Sequence, residues 1–159
     1  MSARSWRRAG RWSKTVAFAV FAGALAACGD EPTPFEVVDE ITFDASLGVD
    51  LADFTELPSG IWIQDETVGM GDPVLVGSTL TITYTGWLRS GVEFDAGSLS
   101  FVYPGGHVPG FTLGFEGMAE GGVRRVIIPP GLAYGDSPPG PPIYGGAVLI
   151  FRLAVTVVN

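Results

Sequence analysis

Gly110-Phe111-Thr112-Leu113-Gly114-Phe115-Glu116-Gly117-Met118 runs into Ala119-Glu120-Gly121-Gly122. Then come Val123-Arg124-Arg125-Val126-Ile127-Ile128-Pro129-Pro130 and Gly131-Leu132-Ala133-Tyr134-Gly135. Phe111, Phe115 and Met118, spaced four and three apart, predict the apolar face of a short helix. Gly121-Gly122 signals a turn. The β-branched run Val123–Ile128 predicts a strand, which Pro129-Pro130 ends. The stretch therefore sets an aromatic-bearing helix, a turn, a strand and a rigid loop with Tyr134 in succession. It holds no nucleophile, metal cluster or phosphate loop. What it offers is apolar walls and one hydroxyl.

On either side, the chain continues in short strands. Pro58-Ser59-Gly60 turns into Ile61-Trp62-Ile63, the first convincing strand. In Thr79–Leu88, Leu80, Ile82 and Tyr84 alternate with threonines, which predicts a strand with one buried face. Arg89-Ser90-Gly91 turns it, and Val92-Glu93-Phe94-Asp95 returns; Phe101-Val102-Tyr103 reads as a separate extended piece. Residues 147–158 form the last strand. The fold class that follows is α+β, several antiparallel strands with one short helix.

Composition agrees. Among 159 residues there are 23 Gly and 12 Pro, and aromatics make up 11%, which favours a turn-rich, β-dominated domain. Five of the nine basic residues lie in the first fourteen positions. From Cys28 onward four arginines face all 17 acidic residues, a balance of −13. Such a domain repels phosphate backbones, so no nucleic-acid partner is expected.

Residues 1–27 read as an export signal. A basic head precedes an apolar run at 16–27, too short to span a membrane comfortably. It ends in Leu25-Ala26-Ala27-Cys28, which resembles the lipobox of bacterial lipoproteins, with the Cys28 thiol as lipid acceptor. The expected location is therefore a bacterial cell envelope, facing the periplasm, with the membrane reached through a lipid anchor. Cys28 is the only cysteine, so no disulfide supports the domain. Residues 28–57 form an acidic tether and N-terminal extension. Within it, 36–57 carries scattered apolar side chains, compatible with a solvated linker or with packing along the domain edge.

Residues 58–159 form the third division, and here a family emerges. Tyr84-Thr85-Gly86-Trp87-Leu88, then Gly91 and Phe94-Asp95, resemble the Y-T-G-x-L…G…F-D signature of FKBP-type peptidyl-prolyl cis–trans isomerases. Pro109-Gly110-Phe111, Gly117-Met118, Gly121, Ile128-Pro129-Pro130 and Leu132-Ala133-Tyr134-Gly135 continue the similarity in order, and Ile143 and Leu149-Ile150-Phe151 close it. The resemblance implies a twisted antiparallel β-sheet wrapped around one short α-helix, with an aromatic pocket between them for a prolyl ring. It puts Phe111 on the pocket floor, with Tyr84, Phe94, Phe101 and Phe151 as walls. Val108 matches the residue whose main-chain amide holds the ligand. Tyr134 is implied to donate a hydrogen bond to a substrate carbonyl, and Asp95 to stand at the edge near the isomerising bond. Ile143 matches an apolar residue of the late loop, and that loop's prolines are expected to hold it open over the pocket. His107 occupies a usually aliphatic position and reads as a solvated loop residue.

The chain departs from the family between Asp95 and Phe101 and between Tyr103 and Val108, where it is shorter. Residues 96–100 lack the arginine that usually partners the pocket aspartate. Asp95 is left either poorly held or fixed by the Tyr84 hydroxyl alone. The implied activity is X–Pro isomerisation in exported proteins, with no covalent intermediate, cofactor or metal. Implied partners are unfolded or extended proline-containing segments and macrolide inhibitors. A non-catalytic proline-binding chaperone or scaffold module of the same fold is the alternative.

Overall fold

The structure, a computed structural model, describes residues 35–159. In chain order its elements are β1 (Thr55–Glu56), β2 (Trp62–Thr67), β3 (Thr79–Leu88), β4 (Glu93–Val102), helix α1 (Pro109–Leu113), β5 (Val123–Ile128) and β6 (Leu149–Val158). Short 3-10 turns occupy Ala45–Leu47, Leu51–Asp53 and Pro130–Leu132. The strands pair antiparallel throughout in one six-stranded sheet of order β1-β2-β5-β6-β3-β4. This is the expected α+β architecture. The last strand of the chain, β6, lies in the interior of the sheet between β5 and β3.

The uninterrupted apolar runs in β5 and β6 are explained by a sheet buried on both faces. Side chains alternate across a strand, so a run without polar partners needs cover on each side. Val126 and Ile128 of β5, with Leu149, Phe151 and Leu153 of β6, pack on the α1 side with Phe111, Phe115 and Met118. Ile127 and Ile150 point the other way and pack with Val38, Phe54 and Val148.

That second layer comes from residues 36–57, which settles the question left open in the sequence: the segment packs. Val38 and Phe54 are buried, and Ile41, Phe43, Leu47, Val49 and Leu51 lie against the same cluster. Several of its acidic residues have local roles. Asp44 caps the first 3-10 turn, accepting from the Ser46 amide at 2.9 Å and the Ser46 hydroxyl at 2.6 Å. Asp50 caps the second turn through the Ala52 amide at 3.0 Å. Glu36 ties the segment down: its carboxylate accepts from the Arg89 guanidinium, from the Tyr144 hydroxyl at 2.7 Å and from the Val148 amide at 2.7 Å.

Element boundaries differ from the sequence reading, most of all at two places. The returning strand is continuous, where two pieces were expected. Ala96-Gly97-Ser98 looks like a break, yet the Ser98 and Ser100 hydroxyls donate to the Ile82 and Leu80 carbonyls at 2.9 and 3.0 Å and stay in the ladder. Helix α1 ends at Leu113, before Phe115 and Met118. Gly114 caps it, and Gly117 takes a φ of 72°, a conformation that suits glycine. Phe115 and Met118 nevertheless stay in the same buried cluster as Phe111.

Candidate active site

A cavity of about 280 Å³ opens between α1 and the β3–β4 end of the sheet. Its volume lies near the lower end of small-ligand sites, ~300–1,000 Å³. It suits a ring and its flanking atoms.

The walls come from six parts of the chain. Strand β3 contributes Tyr84, β4 contributes Phe94, Asp95 and Leu99, and β6 contributes Phe151. Helix α1 and its N-cap contribute Phe111 and Val108. The loop before the helix contributes Gly106 and His107, and the loop after β5 contributes Tyr134.

Phe111, 5% exposed, forms the floor. Its ring meets Phe151 at 5.2 Å and 75°, Phe115 at 5.3 Å and 74°, and Tyr84 at 5.9 Å and 87°. Phe94 stands on Phe151 at 5.4 Å and 88°. These are edge-to-face contacts, the arrangement aromatic quadrupoles favour. Two glycines permit this packing. A Cβ on Gly86 would meet Phe94 Cζ at 2.6 Å and Phe151 Cε1 at 2.8 Å, so the Gly of Tyr84-Thr85-Gly86 makes room for both rings. A Cβ on Gly110 would meet Ile128 Cγ2 at 2.2 Å, so the helix could not approach β5 as closely with a larger residue there.

The polar groups lie at the edge. The Tyr84 hydroxyl donates to Asp95 Oδ2 at 2.8 Å. Burial, and then this bond, push the Tyr84 phenol above its usual range, so it remains a donor. Among the described residues no arginine pairs with Asp95: Arg89 bonds to Glu36, Arg124 to Asp65, and Arg125 and Arg152 to Glu66. Of the two outcomes open for Asp95, the structure adopts the one in which the Tyr84 hydroxyl holds it. The Val108 carbonyl accepts from the Phe111 and Thr112 amides, while its own N–H donates to no acceptor among the described residues. Tyr134 is 36% exposed, on a turn closed by Gly135 N–H to Pro130 carbonyl at 2.9 Å.

The cavity brings together Tyr84, Phe94, Asp95, Val108, Phe111, Tyr134 and Phe151 from the sequence expectation. Two of the others are not among the lining residues. Phe101 does not line the cavity; its ring packs against His107 at 4.9 Å and Phe115 at 5.8 Å. Ile143 is 8% exposed and belongs to the core, and the late-loop prolines do not line the cavity either. The sequence reading missed Leu99, Gly106 and the wall role of His107. A continuous β4 would have pointed to Leu99, and adjacency to Val108 would have pointed to His107. Cys28 lies outside the described residues.

Comparison with known proteins agrees with this geometry. A model of the FKBP-type peptidyl-prolyl cis–trans isomerase family matches residues 72–156. An FK506-binding protein of Neisseria meningitidis serogroup B is 38% identical over 101 residues, 59% of this chain and 92% of that protein. FK506-binding protein 3 of Yarrowia lipolytica is 41% identical over 85 residues, 50% of this chain; the match spans only 21% of that longer protein. Among solved structures, Escherichia coli FkpA superposes with a TM-score of 0.62 at 31% identity, covering 67% of this chain and 52% of that one. AtFKBP13 gives a TM-score of 0.62 at 30% identity, covering 67% of this chain and 98% of that one.

Proposed function

Because the chain belongs to the FKBP-type peptidyl-prolyl cis–trans isomerase family, we propose that it accelerates X–Pro rotation in exported proteins from a lipid anchor on Cys28. The observation that carries this reading is the meeting of the Phe111 floor and the Tyr84–Asp95 pair in one cavity.

The chemistry requires little else. Rotation about an X–Pro bond has a barrier of ~18–20 kcal/mol because amide resonance is lost. Uncatalysed, it takes ~10–100 s. No covalent bond breaks, so a nucleophile has no part to play. A twisted amide is less polarised than a planar one, and an aromatic cavity favours it over the planar form. The Val108 amide and the Tyr134 hydroxyl supply donors for substrate carbonyls. Asp95, oriented by Tyr84, stands at the edge of the rotating bond. Reaching tens of milliseconds requires ~10³-fold, about 4 kcal/mol, within reach of a few such contacts. FK506-like macrolides are a second ligand class, suggested by the names of the relatives.

The test is kcat/KM on prolyl tetrapeptides. Tyr134→Phe removes one hydrogen bond and lowers it roughly 2–10-fold with the fold intact. Asp95→Val lowers it by a comparable or larger factor while the melting temperature shifts by only a few degrees, since Asp95 is exposed. If the parent binds unfolded proline-containing chains without accelerating isomerisation, the module is a binder and this reading fails.

The anchor is tested separately. The basic head, the apolar run and Leu25-Ala26-Ala27-Cys28 support a lipidated mature amino terminus at Cys28. Each buried acyl methylene adds about 0.8 kcal/mol, so several chains would anchor the protein durably. Mass spectrometry of membrane-extracted protein should find acyl mass on Cys28. An intact Met1 terminus, or cleavage elsewhere, would rule the anchor out.

A further inference from the structure

Among the described residues, His107 brings the only side-chain nitrogen into the cavity lining. Its ring packs edge-on against Phe101 at 4.9 Å and 80° and against Phe111 at 5.1 Å and 61°. It is nonetheless exposed, so the imidazole is both a wall and part of the rim. The loop that carries it lies directly on its neighbours. A Cβ on Gly105 would meet Phe101 Cδ2 at 2.4 Å, and the Thr112 hydroxyl donates to the Gly105 carbonyl at 3.4 Å. His107 immediately precedes Val108, which lines the same cavity and whose N–H donates to no acceptor among the described residues.

The other ionisable groups of the cavity are Asp95 on β4, Tyr84 on β3 and Tyr134 after β5. Helix α1 and β6 contribute Phe111 and Phe151 there, with no charge. With a neutral imidazole, Asp95 leaves the cavity negative and disfavours an acidic residue next to the bound proline. A protonated imidazole balances that charge and offers the acid a partner.

We propose that His107 is a specificity-determining residue, which selects prolines flanked by Asp or Glu when its ring is protonated. This rests on the isomerase reading of the cavity. An imidazole carries charge only when protonated, so the selection depends on pH.

The experiment measures kcat/KM on two peptide series, with Glu, Gln or Leu before the proline and with the same residues after it. Each series is run at about pH 5.5 and about pH 8. In the parent, the Glu-to-Gln ratio of one series should rise about 2–5-fold on acidification, the size of an exposed ion pair. In His107→Phe, which keeps the ring packing and removes the charge, the ratio should be flat. Using the ratio cancels any uniform loss of activity or stability in the variant. A flat ratio in the parent overturns the proposal. So does a rise that persists in His107→Phe, since it would belong to Asp95 or to the peptide. If the parent turns over none of the peptides, the isomerase reading fails by itself. The dissociation constants of the same peptides then give the ratio, with the same outcomes deciding.

Discussion

Phe111→Ala removes the floor of the cavity and a large share of the stability of the domain. The side chain is 5% exposed and in edge contact with Tyr84, His107, Phe115 and Phe151. Truncating a buried phenylalanine costs ~3–5 kcal/mol, part lost transfer energy and part cavity. A domain of this kind has only ~5–15 kcal/mol in total. The expected drop in melting temperature is about 10–20 °C, and isomerisation of prolyl tetrapeptides should show no acceleration over the spontaneous rate. The two losses share one cause, so a second variant separates them. Phe111→Leu refills most of the volume without the ring: most of the stability should return while activity stays low. If Phe111→Leu isomerises as fast as the parent, the floor needs only an apolar surface and the aromatic contacts have no catalytic part. If Phe111→Ala melts within a few degrees of the parent, the ring is not the core element the packing indicates.

The fold was legible because local signals and long-range burial agree over most of it. Thr79–Leu88 alternates as it pairs, and Val123–Ile128 ends where Pro129-Pro130 forbids continuation. Where they disagree, the sequence misleads. Ala96-Gly97-Ser98 has low strand propensity, yet it is held by its neighbour β3 and by serine hydroxyls that donate to that strand. The site was legible where the family signature names its residues. Phe101 and Ile143 show the limit of that reading: an apolar residue near a cavity serves equally well without lining it, and only its packing distinguishes the two roles. His107 shows the converse. It is exposed, as a histidine in a glycine loop is expected to be, yet the aromatic rings beneath it also make it part of the wall.

Arg124-Arg125 is the sharpest case of the same limit, and it carries the second large prediction. The pair looks alike in sequence, but adjacent strand positions face opposite ways. Arg125 turns to the face covered by residues 36–57, where its guanidinium bonds to the Leu47 and Gly48 carbonyls and lies 5.7 Å from the Phe54 ring. Arg124 turns to the helix side and is 5% exposed. It makes a bidentate pair with Asp65 at 2.6 and 3.1 Å and donates to the carbonyls of Gly114 at 3.2 Å and Glu116 at 2.8 Å. Those carbonyls belong to the segment leaving α1, so one guanidinium fastens the end of the Phe111 helix to β2.

Arg124→Leu keeps the bulk but leaves both carbonyls and the carboxylate without their donor. Breaking a buried ion pair costs ~3–5 kcal/mol. The Asp65 side chain is 38% exposed and water can reach it, so the lower end, about 3 kcal/mol, is expected, mostly from the two carbonyls at ~1–3 kcal/mol each. Asp65→Asn should cost clearly less, because the arginine keeps its carbonyl bonds and the amide oxygen still accepts. Arg124→Lys should resemble Arg124→Leu more than the parent, since one ammonium cannot reach both sides of the fork. Thermal melts of the three variants decide the matter. If Asp65→Asn costs as much as Arg124→Leu, the ion pair dominates and the carbonyl clamp adds little. Activity supplies the link to function. With α1 unfastened, the floor shifts, so kcat/KM of Arg124→Leu should fall even well below its melting temperature, whereas a purely global loss of stability would leave the folded fraction fully active.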